Sequence, residues 1–119
     1  MLRMIAGAPV LVWPGEGPRL AGAGDASDIV GEAFSAGATV IAIPAARLAP
    51  TFLDLKSGLA GEVLQKFVNY GFRTAIVGDV SAELAASASL RDFVRESNRG
   101  RHVWFVDDLD ALAEKLAGA

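Results

Sequence analysis

Apolar residues along this chain come in short runs broken by turn-forming residues, and the runs alternate between two kinds of spacing. Leu2 to Ala6 and Val10 to Trp13 are brief apolar stretches parted by Gly7, Ala8 and Pro9, which predicts two strands joined by a tight hairpin. Pro14-Gly15-Glu16-Gly17-Pro18 cannot continue the second strand, because proline removes a ladder donor, so the chain leaves through a loop toward Gly22 and Gly24. Ile29, Val30, Ala33 and Phe34 then recur at helical spacing behind Asp25, an N-cap candidate, with Asp28 near the same positive helix end. Gly37 closes that helix.

Thr39 to Ile43 is β-branched and apolar on both faces, as in a central strand covered on each side, and Pro44 ends it. Between Gly58 and Tyr70, Leu59, Val63, Leu64, Phe67 and Val68 take one side of a helix and Glu62, Gln65, Lys66 and Asn69 the other, with Gly71 as a left-handed cap. Thr74 to Val77 is the next strand, breaking at Gly78-Asp79. Ser81 and Ser89 mark the starts of a short helix over about 81–87 and a longer one over about 89–98, ended by Gly100. Val103 to Val106 is the last strand, and Asp107 or Asp108 caps a final helix whose apolar stripe is Leu109, Leu112 and Leu116.

This alternation predicts an α/β fold in one domain over residues 1–119: N-terminal strands and a first helix in 1–38, then an alternating core in 39–119. Right-handed crossovers imply a mixed, mostly parallel sheet of about five strands with helices packed on it and the first strands antiparallel.

Composition narrows the classes. The 119 residues are 52% hydrophobic and 21% charged, enough apolar material for a self-supporting core. The chain has no cysteine, which removes disulfide, thiol-redox and thiolate-metal chemistry and permits a reducing compartment, so a cytoplasmic location is expected. A formal net charge of -3 gives no electrostatic basis for general nucleic-acid binding. No apolar run reaches the roughly 20 residues of a bilayer span, since Pro44, Arg47 and Pro50 interrupt the most hydrophobic region, and Gly7 and Pro9 break the N-terminal run that a signal peptide would need.

Candidate chemistry concentrates in Phe52 to Glu62, where Asp54, Ser57 and Gly58 precede the amphipathic helix, and in Asp79 at the end of the following strand. Ser57 reads as a helix N-cap or as a phosphorylation site, since a phosphate there would meet free amides, the helix dipole and nearby Lys56. Arg91, Arg95 and Arg99 fall at i, i+4 and i+8 on one helical stripe, with Arg101 just beyond, and read as a solvated face paired with Asp92 and Glu96 or as a contact for an anion or acidic partner. Gly22-Ala23-Gly24 lacks the strand that should run directly into a dinucleotide loop. Asp107, Asp108 and Asp110 are explained by capping rather than by a cation, and Ser57 and His102 lack the context of a hydrolase. No catalytic residue, metal or cofactor is therefore expected.

The segment from about Val40 to Leu116 resembles the STAS domain, named from sulfate transporters and anti-sigma factor antagonists. The resemblance rests on a strand (Val40 to Ile43), a loop holding Asp54, Ser57, Gly58 and Leu59, a long helix, a strand ending in Val77-Gly78, and a helix, a strand and a last helix. The runs from Phe52 to Tyr70, Ile76 to Asp79, Leu90 to Arg99 and Val103 to Phe105 also look like a bacterial family of small proteins with no assigned function. The STAS resemblance implies a non-enzymatic switch, in which the serine before the long helix is phosphorylated by a partner kinase and the phosphate controls docking; Ser57 is the matching position. Here Leu55 and Lys56 stand between Asp54 and that serine, where the family pattern has none.

The expectation is thus a regulatory or protein-interaction module with an unidentified protein partner. The alternative is a small-ligand or nucleotide-binding protein, or an enzyme acting on such a ligand, with its site at the loops near Asp54, Ser57 and Asp79, where open α/β sheets bind ligands. A third reading is a homodimer that uses Trp13, Phe72 or Trp104 at its interface.

Overall fold

Ala6 (φ 49°) and Gly7 (φ 81°) join strand β1 (Leu2–Ile5) to β2 (Ala8–Val12) in the computed structural model, which describes residues 1–119. Positive φ at both central residues is the hairpin geometry whose twist matches that of the flanking strands. Ala8 and Pro9, expected in the turn, therefore belong to β2, and the register runs from Leu2 opposite Leu11 to Ile5 opposite Ala8.

The other edge of β2 pairs in parallel with β3 (Val40–Pro44), which pairs in parallel with β4 (Arg73–Val77) and that with β5 (Val103–Val106). The order is β1-β2-β3-β4-β5, a five-stranded mixed sheet in an α/β domain, with only the first strand antiparallel, as the alternation implies. The helices are α1 (Ala23–Ala36), α2 (Leu59–Asn69), α3 (Ser81–Ala86), α4 (Ala88–Arg99) and α5 (Leu109–Ala117).

Side chains alternate across a strand, so each central strand feeds two cores. Leu11, Ile41, Ile43, Ile76 and Phe105 face α1, α2 and α4, which contribute Ile29, Val63, Leu64, Phe67, Leu90 and Val94. Val10, Val40, Ala42, Ala75 and Trp104 face the opposite way and meet Leu112 and Leu116 of α5. Each fully buried aliphatic or aromatic side chain contributes about 1.5–3 kcal/mol.

Several caps differ from expectation. Gly22, not Asp25, precedes α1, and Asp25 in the first turn reaches back to accept from the Ala21 amide at 2.9 Å. Asp79 rather than Ser81 organises the start of α3, accepting from the Ser81 amide at 2.9 Å. Ser87 rather than Ser89 caps α4 through the Leu90 amide at 3.1 Å, and Asp108 caps α5 through the Ala111 amide at 2.8 Å. Asp108 stands where it is expected, the caps of α3 and α4 lie two residues before their expected places, and α1 starts behind a glycine three residues before Asp25, because the first helical amides donate to any oxygen that the incoming chain can aim at them.

Candidate functional site

In a parallel sheet every strand ends on the same rim, so the segments following β2, β3, β4 and β5 lie along one edge of the molecule. Asp54, Ser57, Gly58 and Asp79 all belong to this carboxyl rim.

Pro44 is followed by a 3-10 turn over Ala45–Arg47, and the chain then closes a second 3-10 turn over Leu55–Ser57 before α2. Asp54 heads the second turn, its carboxylate accepting from the Lys56 amide at 3.2 Å. The Ser57 hydroxyl points back into the loop, its proton shared between Thr51 O at 2.9 Å and Asp54 O at 2.7 Å, while its oxygen accepts from the Leu59 amide at 3.2 Å. Ser57 is thus not the N-cap of α2. Gly58 holds that position in the left-handed region at φ 75°, a conformation that reverses the chain between the two helical segments. Leu55 and Lys56 build the turn that carries Ser57 back onto its own loop.

Asp79 lies on a different wall. An open cleft of about 400 Å3 is lined by Pro44, Ala45 and Leu53 on the β3 side and by Val77, Asp79 and Glu83 on the β4 side. Hydrogen bonds from the Ser81 side chain and then from its backbone amide stabilise the charged form of Asp79 and hold its carboxyl below the ordinary aspartate value; slight desolvation opposes them. Asp54 and Ser57 are exposed and do not line this cleft, so the structure brings Leu53, rather than the two polar residues, against Asp79.

The arginine stripe divides. Arg91 caps the end of α3, donating to Leu84 O at 2.7 Å, and Arg95 pairs with Asp92 on the same helix. Arg99 and Arg101 instead join Lys115 and Glu114 around an open hollow of about 300 Å3 where α4 and α5 end, away from the carboxyl rim. Lys115 already donates to Asn98 O at 2.8 Å. Asp107, Asp108 and Asp110 do not converge on a common point that a metal would occupy.

Two of the three aromatic residues offered for a dimer interface are core residues: Phe72 and Trp104 are buried, and Trp13 is half-buried. Phe72 packs behind the left-handed cap of α2, and Trp104 occupies the inward face of β5, so both rings are covered by their own chain. The exposed large apolar side chains are Met1, Leu2 and Met4 on the β1 edge and Phe34 with Tyr70, whose rings meet edge to face at 6.2 Å.

Sequence reasoning missed Arg47. Its guanidinium is buried at the head of the same rim, donating through Nε to Pro18 O at 2.9 Å and through Nη1 to Pro14 O at 2.8 Å and Glu16 O at 3.0 Å. It lies 4.0 Å from the centroid of the Trp13 ring. A Cβ built on Gly17 would fall 2.8–3.0 Å from Nη2, Cζ and Nη1 alike, so the glycine backbone covers the guanidinium plane, at φ 138°. The available signal was a lone charge within the apolar run Pro44 to Pro50.

A family model described as a domain of unknown function, DUF4180, matches residues 5–116. The chain belongs to that family. No curated protein and no solved structure matches it. The DUF4180 match runs from the end of β1 to Leu116 of α5, so the Ser57 turn, the Asp79 cleft and the Arg47 cage all lie within the family's domain. None of the helices in this DUF4180 chain is long and apolar enough to cross a membrane.

Proposed function

We propose that this DUF4180 protein is a non-enzymatic, STAS-like regulatory module of the bacterial cytoplasm, which docks a protein partner on its carboxyl rim with Ser57 as the switch. The reading is carried by the placement of the Ser57 hydroxyl, exposed to solvent yet bonded to Thr51 O, Asp54 O and the Leu59 amide. Phosphorylation would remove the proton that both carbonyls accept and set a charge of about -2 beside Asp54. The loop would have to reopen, so a local charge event becomes a change in the surface ahead of α2. The element order from β3 through the Ser57 turn, α2, β4, α4 and β5 to α5 supports the likeness to the STAS pattern. The extra Leu55 and Lys56 supply a 3-10 turn that returns the serine to the aspartate's neighbourhood.

The test is phosphopeptide mass spectrometry of protein isolated from its host, paired with affinity capture by Ser57→Ala and Ser57→Asp. The expected result is phosphate on Ser57 in some growth condition and a partner held by one variant and released by the other. Unmodified Ser57 in every condition, with identical partners for both variants, overturns the proposal.

A further inference from the structure

At the other end of the carboxyl rim, four charged side chains share one small cavity without pairing. Trp13, Pro18, Arg19, Asp25, Asp28 and Arg47 line a space of about 220 Å3 at the exit of β2. Arg47 is 5% exposed. A guanidinium has five N–H donors; Nε and Nη1 of Arg47 are occupied by the carbonyls of residues 14, 16 and 18, and Nη2 makes no hydrogen bond. Arg19 commits Nη1 to Ala46 O at 2.8 Å and Leu48 O at 3.1 Å, leaving Nε and Nη2 unbonded. Asp25 gives one oxygen to the Ala21 amide, and Asp28 accepts no hydrogen bond. The ion pair that the chain does form, Arg95 with Asp92, is elsewhere. A buried cation without a carboxylate in range carries a desolvation cost that carbonyl dipoles offset only in part.

We propose that this cavity binds a small zwitterion of the α-amino-acid class. Its carboxylate takes the unbonded edges of Arg47 and Arg19, its ammonium takes Asp25 and Asp28, and the Trp13 ring lies alongside. Charge balance selects this class. A phosphate or dicarboxylate would gain the two arginines but face two carboxylates, whereas a zwitterion satisfies both signs. The 220 Å3 would hold about seven waters at ~30 Å3 each, which suits a molecule of roughly ten non-hydrogen atoms or fewer. The carbonyl bonds and the Gly17 contact hold Arg47 in position before any ligand arrives, which lowers the ordering cost of binding. The proposal is independent of Ser57.

The experiment is a thermal-shift and tryptophan-fluorescence screen of the whole chain against the common L-amino acids, with propionate and ethylamine as half-ligands. At a free concentration about ten times Kd, a binder should raise Tm by about 5 °C. Neither half-ligand should reproduce the shift, and it should vanish in both Arg19→Gln and Asp28→Asn, each compared with its own ligand-free Tm. Asp28 is exposed and makes no hydrogen bond, so Asp28→Asn leaves the fold intact. The proposal is overturned if no amino acid shifts Tm, if propionate alone matches the effect, or if the shift survives in either variant.

Discussion

Thr74 has no exposed surface, and its hydroxyl has no hydrogen-bond partner. Periodicity places this residue in a strand apolar on both faces, and β4 confirms the strand. The orphaned oxygen depends on what packs across from it, which no local pattern encodes. A buried hydroxyl without a partner costs about 1–3 kcal/mol, while an isosteric methyl costs nothing in hydrogen bonds. Thr74→Val is therefore expected to stabilise the domain by about 1 kcal/mol, raising the urea midpoint at unchanged m-value. A lower midpoint would show that the hydroxyl is partnered in solution. Arg47 is the opposite case at the same scale, a charge whose burial is accompanied by three carbonyl bonds. Its role was illegible because its partners lie about thirty residues upstream, in a loop that reads only as a chain of turns.

The elements themselves were largely legible. Strand period and helical period are local properties, and β3, β4, β5, α2 and the paired helices α3 and α4 all fall within a few residues of where their apolar spacing puts them. The helix starts moved because a cap is chosen by the approach of the preceding chain, as with Gly22 before α1 and Ser87 before α4. The candidate site was legible only in part: Asp54, Ser57 and Asp79 do reach one rim, but on separate walls. The hairpin turn moved as well, and it left a testable strain. Ala6 is the one residue other than glycine at positive φ, and it is exposed. An L side chain in the left-handed region costs about 1–2 kcal/mol, against which glycine's extra unfolded-state freedom recovers somewhat less. Ala6→Gly should raise stability by about 0.5 kcal/mol, while Ala6→Val should lower it; equal urea midpoints for the two would show that the turn is not left-handed.

At the scale of the whole molecule, the two faces of the sheet are protected unequally. Twenty buried residues form the core under α1, α2 and α4, but nine form the core under α5. α5 spans nine residues, shorter than the roughly 12–15 at which isolated helices become even marginal. Its persistence therefore depends on Leu112 and Leu116 against Val10, Val40, Ala42, Ala75 and Trp104. Leu112 is fully buried, so Leu112→Ala should cost about 3–4 kcal/mol, a large share of the ~5–15 kcal/mol that holds a domain together. With no second helix on that face to close over the gap, the loss should surface locally as well as globally. Trp104 should become accessible to acrylamide and its emission should shift to the red under conditions where the three-helix face still protects its amides from exchange. Val94→Ala, on the better-covered face, removes two methyl groups and should leave Trp104 unquenched. If Leu112→Ala loses under about 1 kcal/mol and Trp104 stays shielded, α5 is not what seals this face, and the second core is held by the strands alone.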